Sequence, residues 1–457
     1  MKCHLFRLLT IVFSVVAMAV FANSAMAQGK GGKGGGGGGG NGGGDEPPAE
    51  AGIGYRVHWP DLPPETLGVY PQNFAFATDT EGNGTVALVV GYYQRSDRSG
   101  RSAFVYDHFG LIDNSRPRKF WDIFELIGPS FPTWVPSTHE ESAFFGVNSS
   151  GQVCGYVRSG VVTDHIACKI DLNQDVLSLD RLPDFYTDAA ATIGWRVNEA
   201  GDVLLIGTRT GDFRYETEIS VYNPVSDHLI HVQKNISEPY YFYGVGWHEI
   251  EFNSLRQIVG TSALGTSRGP LLRYVVSEDA TDSNGFGLAY VDGGDSAEFD
   301  DISRPTAINE FGQFGADSLF SIRRNKTELR ASRINVNGLV EWSQKIDYLA
   351  YGPYVDDIND SGDLVWQDQD NLGVSYYLHE GDPTVSGDET FVQDFESLII
   401  ADSDPLGVFA TSDLQLVRVS DRDISDYGWI FGNVQVGTNS DGSDHKVLAI
   451  LIPEILP

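Results

Sequence analysis

The sequence predicts an all-β chain, a seven-bladed β-propeller with four antiparallel strands per blade, on three observations. First, an apolar stretch, the pattern Asn-x-x-Gly and a second apolar stretch recur about every 50 residues along the 457-residue chain. Second, further short apolar runs follow each of these units. Third, no amphipathic stretch long enough for a substantial helix interrupts them. Four short strands per period of this length suit a propeller blade and exceed one coil of a solenoid. A pair of β-sandwiches is the architectural alternative.

Residues 1–27 are expected to be an export signal. Lys2 and Arg7 precede a mostly apolar run, and Ala25-Met26-Ala27 places small residues where a signal peptidase cuts, after Ala27. The product is then secreted or periplasmic. Residues 28–50 form a Gly-rich flexible linker, broken by Lys30, Lys33 and Asn41 and closed by Asp45-Glu46-Pro47-Pro48. Residues 51–457 are the propeller.

The repeat reads Val147-Asn148-Ser149-Ser150-Gly151, then Val197-Asn198-Glu199-Ala200-Gly201, Ile308-Asn309-Glu310-Phe311-Gly312 and Ile358-Asn359-Asp360-Ser361-Gly362. A degenerate copy is Phe252-Asn253-Ser254-Leu255-Arg256, and weaker echoes occur at 79–86 and 424–428. The Asn-to-Asn steps through the five clear copies are 50, 55, 56 and 50 residues. Such a unit is a hairpin, because Asn accepts local backbone hydrogen bonds and Gly takes positive φ. Cys154 and Cys168 flank a second hairpin turn near Ser159-Gly160. In an oxidising compartment they form either a cross-strand disulfide or two buried thiols.

Composition excludes some functions. With 31 Lys+Arg against 63 Asp+Glu the net charge is −32, which argues against nucleic acid and against anionic membrane as partners. No P-loop, Gly-x-Ser-x-Gly elbow or His-Glu-x-x-His motif is present. Chemistry is therefore sought where the repeat is broken. Arg256 stands where the other four clear copies carry Gly, and its planar fork suits a carboxylate or sulfate. The same unit holds Tyr240-Tyr241-Phe242-Tyr243 and Trp247-His248, which could form a sugar platform or pack in the core. His139 lies among polar residues ahead of a strand, and His165 follows 26 residues later. Acidic turns at 357–363, 368–371 and 439–444 could hold calcium, although none has the ligand order of an EF-hand.

The hairpins resemble bacterial extracellular repeats in which an Ile-Asn-x-x-Gly hairpin precedes a His-Ala-Phe strand. Asp164-His165-Ile166-Ala167 and Asp444-His445-Lys446-Val447 fall at the tripeptide's place. With its export signal and acidic character, the chain also resembles the propeller-type polysaccharide lyases, above all the ulvan lyases. That resemblance implies a histidine pair, His139 and His165, a tyrosine for acid/base duty, Tyr240, and an arginine that binds the uronate carboxylate, Arg256. Tyr240 and Arg256 meet the family's 16-residue spacing, while the gap between the two histidines is wider than the family's. The implied reaction is β-elimination on an anionic polysaccharide by a monomer, with no required cofactor and no membrane insertion. Structural calcium or zinc is left open. Two rival readings are a non-catalytic secreted propeller that binds glycan or protein, and a propeller glycoside hydrolase using paired carboxylates.

Overall fold

Antiparallel hairpins account for nearly all the regular structure. The computed structural model describes residues 53–78, 84–97, 100–128, 139–159, 165–183, 191–208, 217–239, 250–261, 271–292, 302–345, 354–379, 391–404 and 419–455, apart from short gaps within those spans. Residues 1–27 and the Gly-rich tract lie outside them. Residues 51–457 form one unit.

After β1 (Ile53–His58), consecutive strands pair in groups. β2 (Thr66–Thr78), β3 (Gly84–Arg95), β4 (Arg101–Asp107) and β5 (Lys119–Asp122) make the first group. β6 (His139–Val147), β7 (Gln152–Ser159), β8 (His165–Asp171) and β9 (Asp180–Arg181) make the second. β10 (Ala191–Val197), β11 (Val203–Thr208), β12 (Thr217–Asn223) and β13 (His228–Asn235) follow, with β14 (Glu238–Pro239) on the edge of β13. β15 (Glu251–Phe252), β16 (Gln257–Thr261), β17 (Leu271–Thr281) and β18 (Gly287–Asp292) come next, and β18 joins β13 in parallel. Then come β19 (Ile302–Ile308), β20 (Phe314–Arg323), β21 (Lys326–Ile334) and β22 (Val340–Lys345), and β23 (Tyr354–Ile358), β24 (Leu364–Asp368), β25 (Val374–His379) and β26 (Phe391–Asp394). The last group is β27 (Val419–Ile424), β28 (Ile430–Thr438) and β29 (Asp444–Ile455), and β1 pairs antiparallel with β29. Among the described residues the α-helix α1 (Ile123–Ile127) is capped by the Asp122 carboxylate, which accepts from the Phe124 amide at 2.6 Å. No described helix is long and apolar enough to cross a membrane.

The repeated Asn does three jobs. In the Asn148 turn its Oδ1 accepts from the Gln152 amide at 3.0 Å, and the Gly151 amide donates to the Asn148 carbonyl at 2.9 Å. Its Nδ2 donates to the carbonyl of Asn198, the equivalent residue of the next copy, at 2.9 Å. The same link runs from Asn198 to Asn253 at 3.1 Å, from Asn253 to Asn309 at 2.9 Å and from Asn309 to Asn359 at 3.0 Å. These five asparagines are buried, so satisfying their amides is obligatory. A second belt lies outside the first. The Ser149 amide donates to the Glu199 carboxylate, Glu199 N to Ser254 Oγ, Ser254 N to the Glu310 carboxylate, and Glu310 N to Asp360 Oδ1. The repeat is therefore the device that fastens one group of strands to the next.

The core lies between neighbouring groups. Leu88, Val90 and Val105 of the first pack with Phe144, Val157 and Cys168 of the second. On the other face of the second group, Phe145 and Tyr156 meet Ile193, Trp195 and Leu204 of the third. The Trp195 indole is satisfied by the Ile250 carbonyl at 2.7 Å. Gly155 is forced by close approach, since a Cβ there would lie 2.0 Å from the Ala143 carbonyl oxygen.

Cys154 and Cys168 are both free and buried. In the β7–β8 register Cys154 opposes Lys169 and Cys168 opposes Gly155. The offset of one residue points their side chains to opposite faces of the sheet, into separate clusters. The two thiols do not form the disulfide that their spacing allowed. Burial pushes the Cys154 thiol up to about 12.

Candidate functional site

His165 opens β8 opposite Arg158, the penultimate residue of β7, and Arg158 in turn opposes Glu141 of β6. His139 opens β6 opposite Ser159. The two histidines, 26 residues apart in sequence, therefore lie at one end of one sheet, their backbones about two strand spacings, roughly 10 Å, apart.

A network of charged and phenolic groups surrounds His165. Its ring meets Tyr156 edge-on at 4.4 Å between centroids. The Tyr156 hydroxyl donates to Glu141 Oε1 at 2.6 Å, and Arg158 Nη1 donates to Glu141 Oε2 at 2.9 Å. Arg101 of the first group stands 3.8 Å from the same carboxylate. Phe145 packs against Tyr156 at 5.8 Å and against Trp195 at 4.7 Å, which fixes the phenol from behind. Tyr156 is buried, His165 and Glu141 are half-buried, and the Arg101 and Arg158 side chains are about 40% exposed, at 42% and 38%. The cations thus form the rim and the imidazole lies deeper.

Burial lowers the His165 pKa to about 4, against an opposing pull from Glu141. The imidazole is neutral at ordinary pH and is able to accept a proton. Burial, then the charge of Glu141, raises the Tyr156 pKa far above the usual phenol value, so this hydroxyl keeps its proton. Burial works against the charge on Arg101, but Tyr92, Tyr156 and Glu141 outweigh it and raise its pKa. The assembly presents a neutral imidazole beside two arginines that share the Glu141 carboxylate.

Arg256 does not join this group. β6 runs from His139 into the Asn148 turn, and the asparagine belt puts the Arg256 turn at that same far end. Nine residues of strand correspond to roughly 25–30 Å. The expectation that Arg256 shares a pocket with His139 and His165 is corrected by this placement. Its guanidinium is paired instead with Asp202, Nε to Oδ2 at 2.6 Å and Nη2 to Oδ1 at 3.0 Å. The residue does break the rule for the turn, with φ of 57°. The cause lies in the preceding copy. Gln152, Gln257 and Gln313, four residues after their Asn, precede turns with Gly201, Gly312 and Gly362, whereas Asp202 precedes the turn with Arg256. A Cβ on Gly201 would sit 2.8 Å from Gln152 Oε1. Where the glutamine is an acid with a side chain only 2% exposed, the turn supplies its counter-charge.

Tyr240, with Tyr241, Phe242, Tyr243, Trp247 and His248, lies outside the described residues, as do most of the weak repeats at 79–86 and 424–428. Two of the acidic turns are occupied by local hydrogen bonds. Asp363 accepts from Asn359 Nδ2 at 3.0 Å, and Asp441 accepts from Ser443 Oγ at 2.6 Å. Among the described residues no three His, Cys, Asp or Glu side chains gather as metal ligands.

Sequence reasoning did not single out Glu141, Tyr156, Arg158 or Arg101. A signal for one of them existed: Val153-Cys154-Gly155-Tyr156-Val157 matches Val89-Val90-Gly91-Tyr92-Tyr93, which marks Tyr156 as the equivalent of Tyr92. It also passed over a second cluster, in which His58 Nε2 lies 2.8 Å and His108 Nδ1 3.3 Å from the Tyr106 hydroxyl. Trp429 stands edge-on to His108 at 5.7 Å. That cluster ties the end of β1 to the end of β4.

No family model and no curated protein matches the chain. Among solved structures it is similar to the β-propeller domain of the Trilobed protease from Pyrococcus furiosus, at 9% identity and a TM-score of 0.46, over 86% of this chain and 96% of that one. The polysaccharide lyase Uly1 is similar at 10% identity and a TM-score of 0.39, over 88% of this chain and 100% of that one. An alpha-L-arabinanase of Penicillium chrysogenum is similar at 9% and 0.35, over 88% and 98%.

Proposed function

We propose that the chain is a seven-bladed β-propeller, each blade of four antiparallel strands, that acts as a secreted polysaccharide lyase on a uronate-containing, sulfated polymer of the ulvan type. The grouping of consecutive strands in fours supports the architecture, as does the antiparallel pairing of β1 with β29, which completes the last group from the other end of the chain. The observation that carries the chemistry is the neutral His165 imidazole held against the Tyr156–Glu141–Arg158 network, with Arg101 at the rim.

In this reading Arg101 and Arg158 hold the uronate carboxylate and stabilise the charge that develops as C5 loses its proton. His165 takes that proton. The C5–H electron pair becomes the C4=C5 double bond, the C4–O bond breaks, and the leaving glycosidic oxygen is protonated by His139 or Tyr240. Tyr156 and Glu141 are positioning residues, one setting the imidazole and the other both guanidinium groups. The test is ultraviolet absorbance of the unsaturated product from ulvan. His165→Gln should remove it, and single variants His139→Gln and Tyr240→Phe identify the acid. Full activity in His165→Gln would end the assignment.

The second reading, a non-catalytic glycan binder, is favoured by one observation: the Arg256 guanidinium is engaged by Asp202. Binding to ulvan with no absorbance change would select it.

A further inference from the structure

A row of cations and tyrosines extends away from the His165 site across the first strand group. Tyr70 of β2 and Tyr92 of β3 are directly opposed in register, and their rings stack at 4.9 Å and 16°. Arg101 lies over the Tyr92 ring at 4.6 Å, and Lys446 of β29 lies 5.5 Å from the Tyr70 centroid. Lys446 reaches this place because its backbone pairs with Gly68, two residues before Tyr70. Arg101 continues to Glu141 and from there to Tyr156 and His165. The sequence Lys446–Tyr70–Tyr92–Arg101 is therefore continuous with the His165 network.

The stack fixes the character of this surface. Each tyrosine has one face on the other ring and the opposite face towards a cation, so the rings do not offer flat platforms for an apolar sugar face. The two tyrosines and the lysine are half-buried, leaving phenol edges and cationic heads for a ligand. Cation–aromatic contacts of this kind hold a long basic side chain in place at little cost. On a chain of net charge −32, Lys446 and Arg101, the latter sharing Glu141 with Arg158, create a local attraction for an extended polyanion.

We propose that Lys446, Tyr70 and Tyr92, which adjoin Arg101, form a row of subsites that holds the anionic polysaccharide beyond the residue being cleaved and leads it to Arg101 and His165. The direction of the row rests on the lyase reading of the His165 pocket; the binding of polyanion does not. Internal stretches of a long polymer would then be engaged, and short fragments would lose part of their grip.

The test uses the full-length protein in native gels containing ulvan, carrageenan (sulfate without uronate) or alginate (uronate without sulfate). Wild type should be retarded at low salt, and the two simpler polymers report which anion the row reads. Lys446→Gln should weaken retardation about fivefold, the scale of one partly exposed charge contact, with Lys446→Arg restoring most of it. The difference should disappear near 1 M salt, where screening acts within about 3 Å. With ulvan as substrate, Lys446→Gln should raise KM on polymer and leave kcat on short fragments unchanged. Retardation that depends on Lys446 without any unsaturated product would remove the lyase reading and keep the row. Absence of retardation in all three gels, or equal retardation of wild type and Lys446→Gln, would overturn the row whether or not elimination occurs.

Discussion

Replacing Arg256 by glycine separates a structural role from a substrate-binding one. The change relieves a positive φ of 57°, a gain of about 1 kcal/mol. It also strips a bidentate partner from Asp202, whose side chain is 2% exposed. Breaking a buried pair by removing one member costs about 3–5 kcal/mol. The net expectation for Arg256→Gly is a loss of about 2–4 kcal/mol. The other copies supply the compensation, because glutamine precedes glycine at Gln152/Gly201 and at Gln313/Gly362. Asp202→Gln combined with Arg256→Gly should return to within about 1 kcal/mol of wild type, a large favourable coupling in a double-mutant cycle. Urea unfolding followed by tryptophan fluorescence measures this. Turnover of ulvan by the double variant should match wild type. If Arg256→Gly left stability unchanged, or if the double variant were stable but inactive, the ion pair would not be the reason for this arginine.

Other expectations concern the His165 end. The free imidazole titrates near 6.5 and the folded one near 4, so between these values the unfolded chain binds more protons. Stability should therefore fall as pH drops from 6.5 to 4, by at most about 3 kcal/mol from this group, and His165→Gln should flatten that slope. For the same reason the acid limb of kcat/KM should lie near pH 4, and a limb near 6.5 would remove His165 as the base. Tyr156→Phe deletes a donor to a charged acceptor, an expected cost of about 1.5–3 kcal/mol, and it should depress kcat more than KM because it acts by positioning. Gly155→Ala places a methyl 2.0 Å from the Ala143 carbonyl oxygen; it should cost more than about 3 kcal/mol, visible as loss of soluble protein or a large fall in the urea midpoint.

The strand grouping was legible because each Asn-x-x-Gly turn is a local structure, made by an amide and a positive φ within five residues. The step from one Asn to the next was legible too, and the structure gives it a physical meaning: Asn148, Asn198, Asn253, Asn309 and Asn359 are hydrogen-bonded in series. His139 and His165 could be named as a pair, since both lie in the unit that follows the first echo. Their companions could not, because Glu141, Arg158 and Arg101 become neighbours only through register and through the meeting of two strand groups. Arg256 illustrates the opposite error. It was correctly marked as an exception, but the reason is Asp202, 54 residues earlier, and only an alignment of the internal copies brings those two positions together. Tyr70 and Lys446 were equally hidden, being 376 residues apart in the chain.

The pairing of β1 with β29 has a bearing on biosynthesis. Arg56 and Glu454, joined at 2.6 Å, are 398 residues apart, so among the described ladders this one closes the longest stretch of chain. Synthesis must pass β29 before β1 has a strand to pair with. Until that ladder forms, β1 and the β27–β29 group leave unpaired strand edges, a state poorly suited to lingering at high concentration.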